Sequence, residues 1–318
     1  MCTPILDGRP VRLQEGSERG TGVLVATGRE RNTKGSFGRT EGRGEARADK
    51  GGEKGWTPTG PGGAKARVGG GPPDRRRRSG GGEGWIWGWH AVRAALANDA
   101  RTELQRLVVT RERAAELGRE FRAARLSKLQ ESDNGAIAQL LPQGAAHGGA
   151  ALLAPPLEPQ DLATLAQPAS GVLLMLDQVT DPQNVGAIFR SAAAFGAKGL
   201  ILQDRHAPPL TGALAKAAAG AIEQVPHARA VNLSRALEQL TDAGWRAVGL
   251  AGEADGPLDA VLDARPTVLV MGSEGEGLRR LIAEHCDALA RIAMPGGFES
   301  LNVSAAAAVA LYETTRPR

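Results

Sequence analysis

Two cysteines, one tyrosine and an aromatic share of 3% are the first deficits of this 318-residue sequence. Cys2 and Cys286 are too few and too far apart for a disulfide framework or a four-ligand zinc site, which suits a reducing compartment. No run of about eighteen apolar residues occurs, and the first residues lack the apolar core of a secretory signal, so a cytoplasmic protein with no membrane partner is expected. Acidic residues are scarce in the first quarter: residues 1–84 hold 17 Lys and Arg against 10 Asp and Glu, a net of +7. The remainder has 22 against 25, a net of −3.

What is present divides along the chain. Residues 1–84 hold 22 of the 43 glycines, with runs such as Gly69-Gly70-Gly71 and Arg75-Arg76-Arg77-Arg78, and cannot bury enough apolar surface to offset chain entropy. A disordered tail is expected there, fit either for grazing RNA phosphates or for plain solvation. From Trp85 the pattern turns globular: a short helix over 91–97, a strand over 104–110, an amphipathic helix over 111–129 and a strand over 150–154, closed by a proline-rich linker at 155–159. Beyond it strands at 172–176, 199–203, 225–231, 246–250, 267–271 and 289–293 alternate with helices, the last an alanine-rich helix from Val303. The fold class expected is α/β, a mostly parallel sheet covered on both faces, with its ligand site outside the carboxyl ends of the strands. Domains are expected at 85–155 and 156–318.

Three clusters follow strands. After 172–176 comes Asp181-Pro182-Gln183-Asn184, with Asn184 as a plausible helix cap, and Arg190 six residues further on. Six positions make about one and two-thirds turns, so spacing does not put Asn184 and Arg190 on one face. After 267–271 comes Gly272-Ser273-Glu274-Gly275-Glu276-Gly277-Leu278, glycine-rich but without the Lys-Ser/Thr of a phosphate-binding loop. After 289–293 comes Met294-Pro295-Gly296-Gly297-Phe298-Glu299-Ser300-Leu301-Asn302-Val303-Ser304, in which a helix cap at Asn302 or Ser304 accounts for only one of three alternating polar residues. The first strand of this domain leads into no Gly-x-Gly-x-x-Gly, which disfavours a conventional dinucleotide site.

The order Asn-x-Gly-x-x-x-Arg, Gly-Ser-Glu-Gly-x-Gly-Leu and Ile-x-Met-x-Gly-x-x-x-Ser-Leu-Asn-Val-Ser resembles the three signatures of the SpoU/TrmH branch of the SPOUT RNA 2′-O-ribose methyltransferases, over 172–312. The preceding module is similar to the L30e-like RNA-binding domain of the RlmB-type rRNA enzymes. The resemblance implies a C-terminal trefoil knot, an exception to the rule against knotted chains, a homodimer, and an RNA substrate, most simply a guanosine of 23S rRNA. A tRNA ribose methyltransferase and a non-catalytic ribosome-assembly factor are the rival readings. It also implies S-adenosylmethionine as methyl donor and no metal, with donor contacts at Gly272, Ile292, Met294 and Leu301 and catalytic positions at Asn184, Arg190, Glu274, Ser300 and Asn302. Departures from the family pattern are Ala293 for a usual Pro, Ala218 for a common Ser, and Gly148 where Gln often follows His147. A guanidinium holds its proton too tightly to act as a base, so Arg190 is expected to grip the target phosphate and stabilise a developing alkoxide. Trp85, Trp87 and Trp89, and His90 and His147, are expected to be structural rather than RNA contacts.

Overall fold

The computed structural model describes residues 84–296 and 300–316. The tail expected over 1–84 therefore lies outside the described residues except at Gly84, whose carbonyl accepts from the Ala154 amide.

A first sheet comprises β1 (Trp85–Trp87), β2 (Arg106–Val109), β3 (Leu129–Glu131) and β4 (Ala150–Leu153), in the spatial order β1-β4-β2-β3. Helices α1 (Trp89–Ala97), α2 (Arg111–Glu120) and α3 (Asn134–Gln139) connect it. The second sheet holds β5 (Val172–Leu176), β6 (Gly199–Gln203), β7 (His227–Ala230), β8 (Arg246–Leu250), β9 (Thr267–Met271) and β10 (Ala288–Ala290). Its order is β10-β8-β9-β5-β6-β7, and every neighbouring pair is parallel. The helices belonging to it are α4 (Leu162–Ala166), α5 (Pro182–Ala194), α6 (Gly212–Ala218), α7 (Leu233–Asp242), α8 (Leu258–Val261), α9 (Arg280–Glu284) and α10 (Val303–Thr315). A parallel sheet clad on both sides needs strands that are apolar throughout, and β5 and β9 are buried at all five positions. On β5, Val172, Leu174 and Leu176 join one core with α5, α6 and α10, while Leu173 and Met175 join the core under α4 and α7. Both α/β character and the six strands of the larger sheet agree with the sequence reading.

The first sheet does not stand apart. Its apolar residues run into the α5–α6 core, and α5 and α6 approach so closely that a Cβ on Gly186 would lie 2.6 Å from the Leu214 carbonyl oxygen. Trp85 and Trp87 are buried packing residues, and Trp89 is half-buried under the Arg113 guanidinium. His147 accepts from the Gly149 amide and His90 is exposed.

Two helices end earlier than their patterns suggest. The helix expected over 111–129 stops at Glu120, because Arg125 turns inward and donates to the carbonyls of Ala95, Leu96, Asn98 and Arg101 at the end of α1. Helix α1 has no basic residue in its own last turn, so Arg125 supplies the donors those carbonyls need, and the chain beyond pairs with β2 as β3. Helix α6, within an alanine-rich stretch that continues to Ile222, breaks after Ala218: Ala219 and Gly220 take φ of 51° and 97°, and a Cβ on Gly220 would sit 2.6 Å from that of Ala94. The turn that follows (Ala221–Glu223) aims Glu223 at the first sheet's module.

Glu223 meets Arg101 there at 2.8 Å, with side chains 6% and 3% exposed, and also accepts from Asn98. Removing one partner of a buried pair strands the other charge. Glu223→Ala is thus expected to destabilise the protein by about 3–5 kcal/mol, read as a lowered urea midpoint. An unchanged midpoint would remove the pair from the list of important contacts.

His227 on β7 is 3% exposed, its Nε2 has no hydrogen-bond partner among the described residues, and its ring meets Phe189 edge-on. Burial, aided by the nearby Arg229 charge, pushes its pKa down to about 4. The unfolded chain then binds the extra proton first as pH falls. The stability His227 contributes is complete above its ordinary value of 6.5 and is lost progressively toward pH 4, in total about 3 kcal/mol. His227→Gln should flatten that part of the stability-against-pH curve measured by urea unfolding.

Candidate active site

Each of the three clusters leaves the carboxyl end of a parallel strand or opens the last helix. After β5 the chain carries Asp177, fully buried, and then Asp181, whose carboxylate accepts from the Asn184 amide at 2.9 Å and caps α5, with Pro182 in the first turn. Asp181, not Asn184, is therefore the cap, which corrects the sequence reading. An aspartate before Pro at the first helical position satisfies the orphan amide, so the Asn184 side chain stays free to reach outward.

It reaches the loop after β9. Ser273 and Gly277 exchange backbone hydrogen bonds of 3.2 and 3.0 Å, pinching 273–277 into a tight turn with Gly275 and Gly277 at φ of 88° and 67°. Glu274 rides on this turn, and its Oε1 accepts from Asn184 Nδ2 at 2.9 Å, from Asn302 Nδ2 at 2.7 Å and from the Val303 amide at 3.3 Å. Asn302 Nδ2 also donates to Asn184 Oδ1 at 2.9 Å, while its Oδ1 caps α10 by accepting from the Ser304 and Ala305 amides. Three of the five expected catalytic residues thus form one hydrogen-bonded junction between segments 90 and 118 residues apart in sequence.

The other two stand apart from it. Arg190 is exposed on α5 and Ser300 is exposed ahead of α10, and neither side chain has a hydrogen bond or ion pair among the described residues. Gly272 sits where a Cβ would be 2.1 Å from the Gly277 carbonyl carbon, so no larger residue fits without opening the turn. The main-chain groups of Gly272, Ile292, Met294 and Leu301 make no hydrogen bond to the described residues. Gly272, Ile292 and Met294 are half-buried and Leu301 is 39% exposed.

Sequence reading missed the anchor of the glycine-rich loop. Asp177 accepts from the Arg279 amide at 3.0 Å and pairs with its guanidinium at 2.6 Å. An acid directly after a five-residue apolar strand was the available signal, because a buried carboxylate demands a partner. Cys286, packed against Gly249 nearby, is pushed up to about 12 by burial and by Asp287 and Asp177, so it stays a thiol at neutral pH. Among the described residues no group of three or more His, Cys, Asp and Glu is arranged to hold a metal ion, and no helix is long and apolar enough to cross a membrane.

Residues 171–312 match the SpoU rRNA Methylase family. A protein of Mycolicibacterium vanbaalenii named an uncharacterized tRNA/rRNA methyltransferase is 45% identical over 177 residues, 54% of this chain and 56% of that one. A Synechocystis protein named likewise is 39% identical over 242 residues, 73% of this chain and 62% of that one. The chain thus spans about three fifths of the length of these curated relatives. Among solved structures, an rRNA methyltransferase of Sinorhizobium meliloti with bound AdoMet superposes with a TM-score of 0.60 at 25% identity, covering 72% of this chain and 85% of that one. The SpoU methyltransferase AviRb of Streptomyces viridochromogenes, at 24% identity and a TM-score of 0.61 over 73% of this chain and 88% of that one, shares the fold.

Proposed function

We propose, from the match of residues 171–312 to the SpoU rRNA Methylase family, that the chain transfers a methyl group from S-adenosylmethionine to a ribose 2′-hydroxyl of RNA, a guanosine of 23S rRNA in the cytoplasm. The observation that carries this reading is the Asn184–Glu274–Asn302 junction, which draws the three signature segments to one place. The domain reading is an L30e-like RNA-binding module at 85–155 followed by the methylase at 156–318. A trefoil knot, with the chain after β10 tucked under the 272–278 loop, is supported by the bonds from Asn302 and Val303 to Glu274 on that loop.

The methyl donor fits the residues present. Unpaired main-chain groups at Gly272, Ile292, Met294 and Leu301, flanked by apolar side chains, suit an adenosyl group that wants an apolar slot and backbone partners. When bound, S-adenosylmethionine supplies an electrophilic methyl on a sulfonium. Glu274 fixes the donor loop against the α5 and α10 N-termini. Asn184, Asn302 and Ser300 orient the ribose, and Arg190 holds the adjoining phosphate in its fork and stabilises the 2′-alkoxide as its proton leaves.

Arg190 lies about 9 Å along α5 from Asn184 and about 120° around it, so a single subunit does not join it to the junction. A homodimer through α5 and α10 supplies the missing proximity. Tyr312, packed edge-on against Phe195, is 56% exposed, and Val309 is 42% exposed, which supports an apolar contact there. Nucleoside mass spectrometry after incubating the protein with labelled S-adenosylmethionine and separated rRNA and tRNA tests the reading. Label in 2′-O-methylguanosine of rRNA is expected, and label on a base, or none in RNA, would overturn it.

A further inference from the structure

On the far side of the Asp177–Arg279 anchor, the carboxyl ends of β6 and β7 and the starts of α7 and α9 enclose a groove of ≈ 950 Å³. Three arginines line it, Arg235, Arg279 and Arg280; Arg279 is held by the buried Asp177, and the lining carboxylate, Glu238, is occupied by His285 Nε2 at 3.1 Å. Arg235 has no side-chain partner among the described residues, and Arg280 meets only Glu284, outside the groove, in a pair whose side chains are 79% and 51% exposed. An ion pair that wet is held weakly and yields readily to a phosphate. Two large apolar side chains stand open in the same groove, Val231 at 74% and Leu281 at 54% exposure. Gln203, also in its lining, has a buried Oε1 with no hydrogen-bond partner among the described residues.

Guanidinium forks beside apolar surface are what a single-stranded nucleic acid needs: the forks take phosphates, and the guanidinium planes and apolar groups take unstacked bases. Arg235 and the loosely paired Arg280 give the groove a local positive charge on a body whose residues 85–318 carry a net of −3. Its position ties it to the site as well, since Arg279 leaves the glycine-rich loop that bears Glu274.

We propose that this groove is the track for a single-stranded segment of the RNA substrate flanking the methylated nucleotide, with Arg235 and Arg280 as phosphate contacts and Val231 and Leu281 as base contacts. The proposal rests on the methyltransferase reading for its biological sense, but not for its test.

The test is the affinity of the full chain for a fluorescent single-stranded RNA, followed by anisotropy across a salt series. Arg235→Gln/Arg280→Gln is expected to weaken binding about tenfold at low salt and to make the slope of log affinity against log salt shallower by about 1.4, two phosphate contacts at ~0.7 each. Leu281→Glu, which sets a negative charge in the groove without touching either arginine, should weaken binding in the same direction. S-adenosylmethionine binding by calorimetry should match the parent in both variants. Affinity and slope equal to the parent's in both variants would overturn the proposal and leave the patch as a protein-docking surface. A parent that binds RNA through these arginines yet transfers no methyl group would sink the methyltransferase reading instead, so the two failures are distinguishable.

Discussion

Arg190→Lys is expected to lower turnover by roughly 10²- to 10³-fold while S-adenosylmethionine binding stays as it was. The magnitude follows from losing a preorganised donor to a developing oxyanion. The direction of the split follows from position: Arg190 is exposed on α5, outside the junction that fixes the donor loop. A lysine keeps the charge but offers a compact ammonium in place of a planar fork, so it can neutralise the phosphate and still fail to hold phosphate and 2′-oxygen in register. Single-turnover rates with saturating RNA measure the effect directly. A lysine variant with near-parental turnover would show that charge alone suffices and would end the proposed geometric role.

The second large effect concerns the junction. Glu274→Ala removes the one atom that accepts from Asn184, Asn302 and Val303 together. The bonds from Asn184 and Asn302 lie near solvent and that from Val303 is part-buried, so water replaces part of what is lost, and each bond contributes about 1 kcal/mol. The expected result is a 10- to 100-fold weaker S-adenosylmethionine Kd, at about 1.4 kcal/mol per tenfold, with little change in global stability. Glu274→Gln separates positioning from charge. The amide oxygen can take the place of Oε1, and its NH₂ group then falls where Oε2 has no partner, so donor binding should be restored. If glutamine fails as badly as alanine in donor binding, the negative charge itself matters and the positioning role is wrong.

Much of this was legible in the sequence because it is local. The central strands β5 and β9 of the larger sheet announce themselves as apolar runs, and Asn302 is a helix cap readable from its place before Val303. What was not legible depends on partners far along the chain or on competition within a turn. Asn184 reads as a cap until Asp181 is seen to take that role. The end of α2 is set by Arg125 reaching back to α1, and the break after Ala218 by the approach of Ala94. The Asp177–Arg279 anchor joins residues 102 apart, and no periodicity encodes such a distance. Arg190 shows the opposite limit, since its motif is plain while it stands exposed on α5, apart from the junction.

The junction also has a consequence for biosynthesis. A chain emerging from the ribosome presents Asn184 first, Glu274 ninety residues later and Asn302 twenty-eight after that. Until α10 has emerged, Glu274 lacks two of its three donors, and closing such distant contacts is slow compared with forming the helices themselves. On the proposed function, capture of the methyl donor therefore waits until α10 has emerged and folded against the 273–277 turn.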